Sequence, residues 1–316
     1  QYEAEREWKA VKSYANENGV KIMGDMPLYV AHDSVDVWKN PRLFRLDENL
    51  MPTDVAGVPP DYFSESGQLW GNPVYDYAEH EKDGFRWWTE RVLNALNVFD
   101  LVRIDHFRGL DRFYSVKAGS PDARTGVWEK VPSDGLFSAI GKIADGDRII
   151  AEDLGIIDDG VRELLRKTGF AGMRVLSFAF NGEKNNPYLP ERIEENSVCY
   201  TATHDNDTLI GLIENMSAWD KNNLVAGVKN SMAIAGVAGE ADCADSLAER
   251  IAELGFASAA KLFVIPMQDV LKLGSDYRIN EPGTVKPQNW AVKFGFGFTD
   301  GTAEKLRKLS ERYQRL

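Results

Sequence analysis

The chain has 316 residues, 43% of them hydrophobic, so it is long enough for one large barrel or two modest domains with a substantial core. Its formal net charge of -12 argues against nucleic acid or an anionic membrane surface as a partner, because either would require clustered Lys and Arg, and it favours an uncharged substrate. Cys199 and Cys243 lie outside CxxC and CxxH patterns. They therefore predict neither a disulfide framework nor a zinc site, and we expect both to be buried or nearly buried thiols.

The N-terminus opens in an amphipathic helical pattern, with Tyr2, Trp8 and Val11 on related turns, and it has no initiator Met. We therefore expect the sequence to begin inside a domain. No apolar stretch reaches the roughly 20 residues that a membrane helix needs, and the first residues lack the apolar core of a secretory signal. These features predict a cytoplasmic protein without a membrane partner.

Apolar runs of strand length alternate with helical patterns along the chain, which is typical of βαβ units in a parallel sheet. The predicted strands cover residues 20–25, 100–105, 148–152, 173–178, 198–203 and 262–266. The predicted helices cover residues 84–98, 135–145, 158–168, 206–216, 244–260 and 302–315. Six strands are two fewer than an eight-stranded barrel has, so this pattern predicts a barrel domain over 1–316 that lacks its first two strands.

The segment 26–83 is too long for a simple connection between a strand and a helix. It is rich in Pro, Asp, Tyr and Trp. Unbroken loops of this length are uncommon unless they carry function, so we predict an inserted subdomain here.

Three acidic residues each follow a short apolar run: Asp105 in FDLVRIDHFRG, Glu152 in RIIAEDLG and Asp205 in VCYTATHDND. In a parallel α/β barrel the carboxyl ends of the strands meet at one rim, where the active sites of such enzymes lie. The three acids are therefore predicted to share one site.

Two carboxyl groups can break a glycosidic bond with retention when one is an ionised nucleophile and the other is a protonated acid. Arg103 lies two residues before Asp105, so both side chains point to the same face of the strand, and the guanidinium would keep the aspartate ionised. Glu152 follows Ile-Ile-Ala, where burial would raise its pKa. Asp205, beside His204, would bind sugar hydroxyls and stabilise the transition state.

Each pattern also has a structural interpretation. An Arg-x-Asp pair on a strand is more often a structural ion pair, Asp153 can belong to a helix N-terminus, and Asn206 or Asp207 is expected to cap the following helix. The histidines lack the spacing of metal-binding motifs, so we predict no metal and no organic cofactor.

The long motifs carry a family resemblance. VRIDHFRG, IIAEDLG and YTATHDNDT, in this order, resemble the catalytic signatures of the 4-alpha-glucanotransferases, the amylomaltase or disproportionating-enzyme family of the alpha-amylase clan. GVKIMGDMPLYVAHDSVDVW and AGVPPDYFSESGQLWGNPVYD resemble the inserted substrate loop of that family, and VIPMQDVLKLGSDYRINEPGT followed by NW resembles its C-terminal signature. The resemblance covers about residues 7 to 290 and implies that a further N-terminal portion completes the barrel.

The resemblance implies a retaining double displacement on α-1,4-glucans, with Asp105 as nucleophile, Glu152 as general acid and then base, and Asp205 as transition-state stabiliser. It also implies a set of residues that bind the substrate: Asp25, Asp61, Tyr62, Phe63, Gln68, Trp70, Arg103, His204 and Asn280. The aromatic side chains of the loop can pack on sugar rings and shield the site from water, although a small hydrophobic satellite core is the alternative for Phe63.

The sequence therefore predicts a (β/α)8 barrel of the alpha-amylase kind, with its first two strands absent and an inserted subdomain. It is predicted to transfer α-1,4-glucan segments between maltooligosaccharides, with a complementing N-terminal segment as a further partner. Two alternatives stay open: a hydrolase that uses the same acids, and an inactive glucan-binding fragment.

Overall fold

The chain divides into two compact units, Gln1–Gly172 and Met173–Leu316. A computed structural model describes residues 1–60, 64–155, 157–295 and 299–315. Each unit has its own hydrophobic core. In the first, Trp88, Tyr75 and Phe107 are among the largest fully buried side chains.

The first unit combines a parallel sheet, an antiparallel sheet and several helices. Its strands, in chain order, are β1 (Met23–Met26), β2 (Asp54–Val58), β3 (Gln68–Pro73), β4 (Leu101–Ile104), β5 (Arg112–Lys117), β6 (Val127–Lys130), β7 (Ile149–Ala151) and β8 (Ala171–Val175), which crosses the division between the units. Its helices are α1 (Tyr2–Glu17), α2 (Val35–Lys39), α3 (Tyr77–Lys82), α4 (Arg86–Val98), α5 (Ser133–Ile140) and α6 (Asp159–Thr168), with 3-10 turns at Pro41–Leu43, Phe107–Leu110 and Gly146–Arg148.

The parallel strands pair in the order β1, β4, β7, β8. In β7 the whole Ile149–Ala151 run is buried, as expected for a parallel strand covered on both faces. The helix α6 that follows β7 is capped by Asp158, whose Oδ1 accepts from the Val161 amide, and it ends at Gly169 with a φ of 69°. The expectation that Asp153 belongs to the N-terminus of this helix is therefore wrong, because the helix is capped by Asp158.

The antiparallel sheet has the order β3, β2, β5, β6. Strands β2 and β3 come from the predicted inserted segment 26–83, whereas β5 and β6 come from residues 112–130, after β4. Val55 of β2 lies opposite Val116 of β5. The inserted segment therefore contributes only half of this sheet, and its description as a separate subdomain stays a prediction.

The second unit contains the parallel pair β9 (Ser197–Tyr200) and β10 (Leu262–Val264) and a group of helices. The helices are α7 (Leu209–Asn215), α8 (Ala218–Ala235), α9 (Ala244–Ala257), α10 (Met267–Val270) and α11 (Asp300–Arg312), with 3-10 turns at Leu176–Phe178, Pro190–Arg192 and Ser275–Tyr277. The strand predictions in both units are confirmed to within a few residues, as is the N-terminal helix.

Two local predictions are corrected in the second unit, and one helix was missed. Thr208, rather than Asn206 or Asp207, caps α7, because its hydroxyl accepts from the Gly211 amide. Helix α8 was not predicted as a separate element. Of the two cysteines, one is buried as expected in the core and the other, Cys243, is exposed at the start of α9. Across the part of the chain that the structure describes, no helix combines the length and the apolar character needed to span a bilayer.

Candidate active site

Two adjacent parallel strands of the first unit end in the predicted catalytic acids. Asp105 directly follows β4 and Glu152 directly follows β7, and the two strands are paired. The backbone continues this arrangement, because the Glu152 amide donates to the Ile104 carbonyl at 3.0 Å and the Asp105 amide donates to the Met26 carbonyl at 3.0 Å. The strand ends therefore place both carboxyl groups at the same edge of the sheet.

Arg103 bridges two carboxylates at this edge. Its Nη1 donates to Asp25 Oδ2 at 2.6 Å and its Nη2 donates to Asp105 Oδ1 at 2.7 Å. The Arg103 side chain is only 10% exposed, whereas the two aspartate side chains are nearly half exposed. Burial opposes the charge of Arg103, but the negative charges of Asp105 and then Asp25 outweigh this effect and raise its pKa. The guanidinium stays charged and forms a charge-assisted hydrogen bond with Asp105.

Glu152 lies in the opposite electrostatic environment. Burial, followed by the negative charge of Asp105, raises the pKa of Glu152 to about 8. The charge of Arg103 and two backbone hydrogen bonds oppose this rise: the His106 amide donates to Oε2 at 2.8 Å and the Leu154 amide donates to Oε1 at 3.0 Å. At neutral pH the group therefore carries a proton that it can donate, as its apolar sequence context predicted.

The two acids thus lie in different electrostatic environments although they are at the ends of neighbouring strands. Asp105 contacts a buried cation, whereas Glu152 has no salt-bridge partner within the described ranges. A pair of carboxyl groups with different environments is the arrangement that supplies a nucleophile and an acid for the same bond.

The predicted loop residues that can be described lie on the edge strand β3. Trp70 is 37% exposed, and its ring is 4.9 Å from the His106 ring and 6.0 Å from the Tyr29 ring. The Trp70 Nε1 donates to Gln68 Oε1 at 3.2 Å. The other loop predictions, Asp61, Tyr62 and Phe63, lie outside the described residues. Trp70 therefore presents a partly exposed indole next to the residue that follows Asp105.

The second unit contains the remaining predicted residues in one cluster. Asn280 Nδ2 donates to Asp205 Oδ1 at 2.6 Å, and His204 Nε2 lies 3.4 Å from Asp205 Oδ2, so both carboxylate oxygens have a neighbour. Arg278 holds the backbone of the cluster, since it donates to the carbonyls of Asp205 at 2.9 Å and Asn280 at 2.8 Å. These contacts fix the direction of the Asp205 carboxylate.

One residue of this cluster was missed in the sequence. The Trp290 ring lies 5.1 Å from the His204 ring, is 66% exposed, and sits on a backbone with a φ of 61°. A left-handed conformation is unusual for a bulky residue. It is held here by a hydrogen bond from the Trp290 amide to the Ile279 carbonyl at 2.8 Å. The position of Trp290 at the end of the C-terminal signature could have marked it as a site residue. Its contact with His204 could not be predicted from the sequence.

The structure gathers the predicted residues into two groups, one in each unit. The group in the first unit contains Asp25, Gln68, Trp70, Arg103, Asp105 and Glu152, and the group in the second contains His204, Asp205 and Asn280. Within the described residues, no cluster of three or more His, Cys, Asp or Glu side chains has an arrangement that could hold a metal ion.

Comparison with known proteins decides the family. A family model described as 4-alpha-glucanotransferase matches residues 1–297. The chain belongs to the 4-alpha-glucanotransferase family. It is 42% identical to a 4-alpha-glucanotransferase of Clostridium butyricum, with 100% of the chain and 63% of the relative covered. It is also 42% identical to a Solanum tuberosum protein named 4-alpha-glucanotransferase, chloroplastic/amyloplastic, with 100% and 54% covered.

A solved structure, the amylomaltase of Streptococcus agalactiae in complex with acarbose, confirms the predicted fold class. Its TM-score to this chain is 0.90 at 35% identity, over 99% of this chain and 61% of that one. The α/β barrel fold of the 4-alpha-glucanotransferase family is therefore present over nearly the whole chain. The chain spans between about half and two thirds of the length of these relatives.

Proposed function

We propose that the chain transfers α-1,4-glucan segments between maltooligosaccharides by a retaining double displacement. The observation that supports this most strongly is the unequal pair of carboxyl groups: Asp105 is held by the Arg103 guanidinium at 2.7 Å, and the pKa of Glu152 is raised to about 8. The names of the relatives point to the same reaction.

In the first step, an Asp105 carboxylate oxygen attacks the anomeric carbon of the donor sugar. The bond from this carbon to the glycosidic oxygen breaks as Glu152 transfers its proton to that oxygen, which leaves with the shortened glucan. The product is a glucosyl ester of Asp105, and Glu152 is left ionised. Its raised pKa provides the proton at neutral pH.

In the second step, the ionised Glu152 removes the proton from a hydroxyl of the acceptor sugar. The acceptor oxygen attacks the anomeric carbon, and the bond to Asp105 breaks, which restores both carboxyl groups. Water in the place of the acceptor would give hydrolysis. A partly exposed indole such as Trp70 favours the sugar, because a stacked ring displaces water from its face.

The remaining predicted residues have supporting roles in this proposal. Asp205, oriented by Asn280 and beside His204, stabilises the positive charge that develops on the reacting sugar ring. Asp25 shares the Arg103 guanidinium and binds sugar hydroxyls. The loop residues Asp61, Tyr62 and Phe63, together with Gln68, are proposed to contact the glucan.

Incubation with maltotriose tests the proposal. A ladder of longer and shorter oligomers together with glucose supports transfer, whereas glucose and maltose alone would indicate the hydrolase.

Asp105→Asn should abolish turnover and leave maltooligosaccharide binding intact, as measured by calorimetry. Asp159→Asn is the matched control, because this carboxylate is fully exposed on α6. If the parent chain binds glucan without turning it over, the proposal is wrong and the glucan-binding fragment is supported.

Two further predictions, one about a partner segment and one about cellular location, can be tested by experiment. A complementing N-terminal segment is proposed as a partner, and adding it to the chain should raise turnover if it contributes to the cleft. A cytoplasmic location stays a prediction, since one of the relatives is named as chloroplastic or amyloplastic.

A further inference from the structure

His106, the residue directly after Asp105, has a left-handed backbone. Its φ is 50° and its ψ is 48°, and it precedes the 3-10 turn Phe107–Leu110. Histidine adopts this conformation more readily than most residues, although it remains uncommon outside glycine. None of the roles proposed above uses this residue.

The backbone of His106 holds the acid Glu152 directly. The His106 amide donates to Glu152 Oε2 at 2.8 Å, and the next amide, of Phe107, donates to the Glu152 carbonyl at 3.1 Å. These two contacts fix both the carboxyl group and the backbone of the acid. The left-handed conformation directs the second of these amides, because the φ and ψ of His106 set the orientation of the peptide between His106 and Phe107, and a change there would move this turn away from Glu152.

The ring of His106 is enclosed on two sides. The Trp70 ring meets it edge-on, at 4.9 Å and 89°. On another side lies Gly109, where an added Cβ would be only 2.9 Å from His106 Cδ2. The ring Nε2 is buried and has no hydrogen-bond partner among the described residues, and burial lowers the pKa of His106 to about 4. The ring is therefore neutral and held by packing.

We propose that His106 is a positioning residue that couples Trp70 to Glu152. Its amide donates to the carboxyl group, and its left-handed backbone directs the next amide to the Glu152 carbonyl. Its ring packs against Trp70, so a sugar that contacts Trp70 stabilises the working position of the acid. The proposal rests on the proposed function, because it takes Glu152 as the acid and Trp70 as a sugar contact.

The pKa of Glu152 reports whether the amide is in place. Two charged groups act on Glu152 in the first unit: Asp105 raises its pKa and Arg103 lowers it. His106 is neutral, so its own contribution is the hydrogen bond from its amide, which favours the ionised carboxylate. Loss of this bond should raise the pKa of Glu152.

The test is a titration of the Glu152 side-chain carboxyl carbon by NMR in the full chain, assigned by comparison with Glu152→Gln. His106→Val disfavours the left-handed backbone and should raise the midpoint by about one pH unit. His106→Asn tolerates that backbone but removes the ring that packs on Trp70, so it should raise the midpoint by only about half a unit. Trp70→Ala should raise it by about half a unit in the parent. In the His106→Asn background, which lacks the ring, Trp70→Ala should have no effect.

Equal shifts from Trp70→Ala in both backgrounds, or no shift in either, would overturn the proposal. The comparison of Trp70→Ala in the parent and in His106→Asn does not use His106→Val, so it can be made even if His106→Val does not fold. The titration needs no turnover, so it tests the positioning role of His106 separately from the proposed glucan transfer. If the midpoints move as expected but maltotriose is not converted, the proposed function is wrong and the contact from Trp70 through His106 to Glu152 is still supported.

Discussion

The raised pKa of Glu152 has a measurable consequence for stability. Its folded-state pKa of about 8 lies above the ordinary value of 4.5. Between these values, the folded protein keeps a proton that the unfolded chain releases, so stability falls as the pH rises. The contribution of this proton is fully present below about pH 4.5 and is lost as the pH rises through about 8. Glu152→Gln, which cannot ionise, should escape this loss.

The size of the effect follows from the shift. The difference from 4.5 to about 8 corresponds to about 5 kcal/mol if all of it appears in the free energy of unfolding. Glu152 keeps part of its surface in contact with solvent, which reduces the cost of its charge. We therefore expect the stability of Glu152→Gln relative to the parent to rise by about 2–3 kcal/mol between pH 5 and pH 9.

Urea unfolding of both proteins at the two pH values measures this difference through the transition midpoints. A glutamine cannot accept hydrogen bonds from both the His106 and Leu154 amides, but this cost is the same at each pH and cancels. Glu48→Gln, at an exposed position, is the control and should show no such change. A relative stability of Glu152→Gln that stays constant, or that falls with pH, would refute the argument that burial keeps Glu152 protonated.

Two further substitutions test the contacts of the other acids. Arg103→Lys should lower kcat/KM for maltotriose by roughly tenfold or more, because an ammonium group cannot bridge Asp25 and Asp105 as the guanidinium does; initial rates of glucose release measure this, and an unchanged rate would contradict the role of the bridge. Asn280→Ala removes the 2.6 Å hydrogen bond to Asp205 and should lower kcat by about tenfold with little change in the melting temperature. A loss of stability without a loss of kcat would show that this contact is structural.

The parallel strands could be predicted from the sequence because each contains a short apolar run, and three of these runs end at an acidic residue. The antiparallel sheet could not, since β2 pairs with β5 across 50 or more residues and the register depends on the folded unit. Helix α8 was missed although its buried Leu224, Val228 and Met232 recur every four positions, which is a readable signal.

In the candidate site too, contacts between residues close in sequence could be predicted, whereas contacts between distant residues could not. The contact of Arg103 with Asp105 follows from strand alternation, and the raised pKa of Glu152 follows from the apolar run before it. The contact of Asn280 with Asp205 joins positions 75 residues apart, so only the family resemblance pointed to Asn280. The left-handed backbone of His106, which directs the Phe107 amide to the Glu152 carbonyl, is specified by no residue pattern.

Strand register explains why the two acids differ. Arg103 lies opposite Asp25 on one neighbouring strand and opposite Ile150 on the other. Its guanidinium therefore finds a carboxylate on the β1 side and a second one two residues along its own strand, and both of its Nη atoms are used by these partners. Glu152 follows the apolar strand β7, and the effect of the Arg103 charge on its pKa is smaller than the effect of burial. The carboxyl group of Glu152 therefore stays protonated. A shift of one residue between β1 and β4 would turn Arg103 and Asp25 to opposite faces and leave Asp105 as the sole partner of the cation.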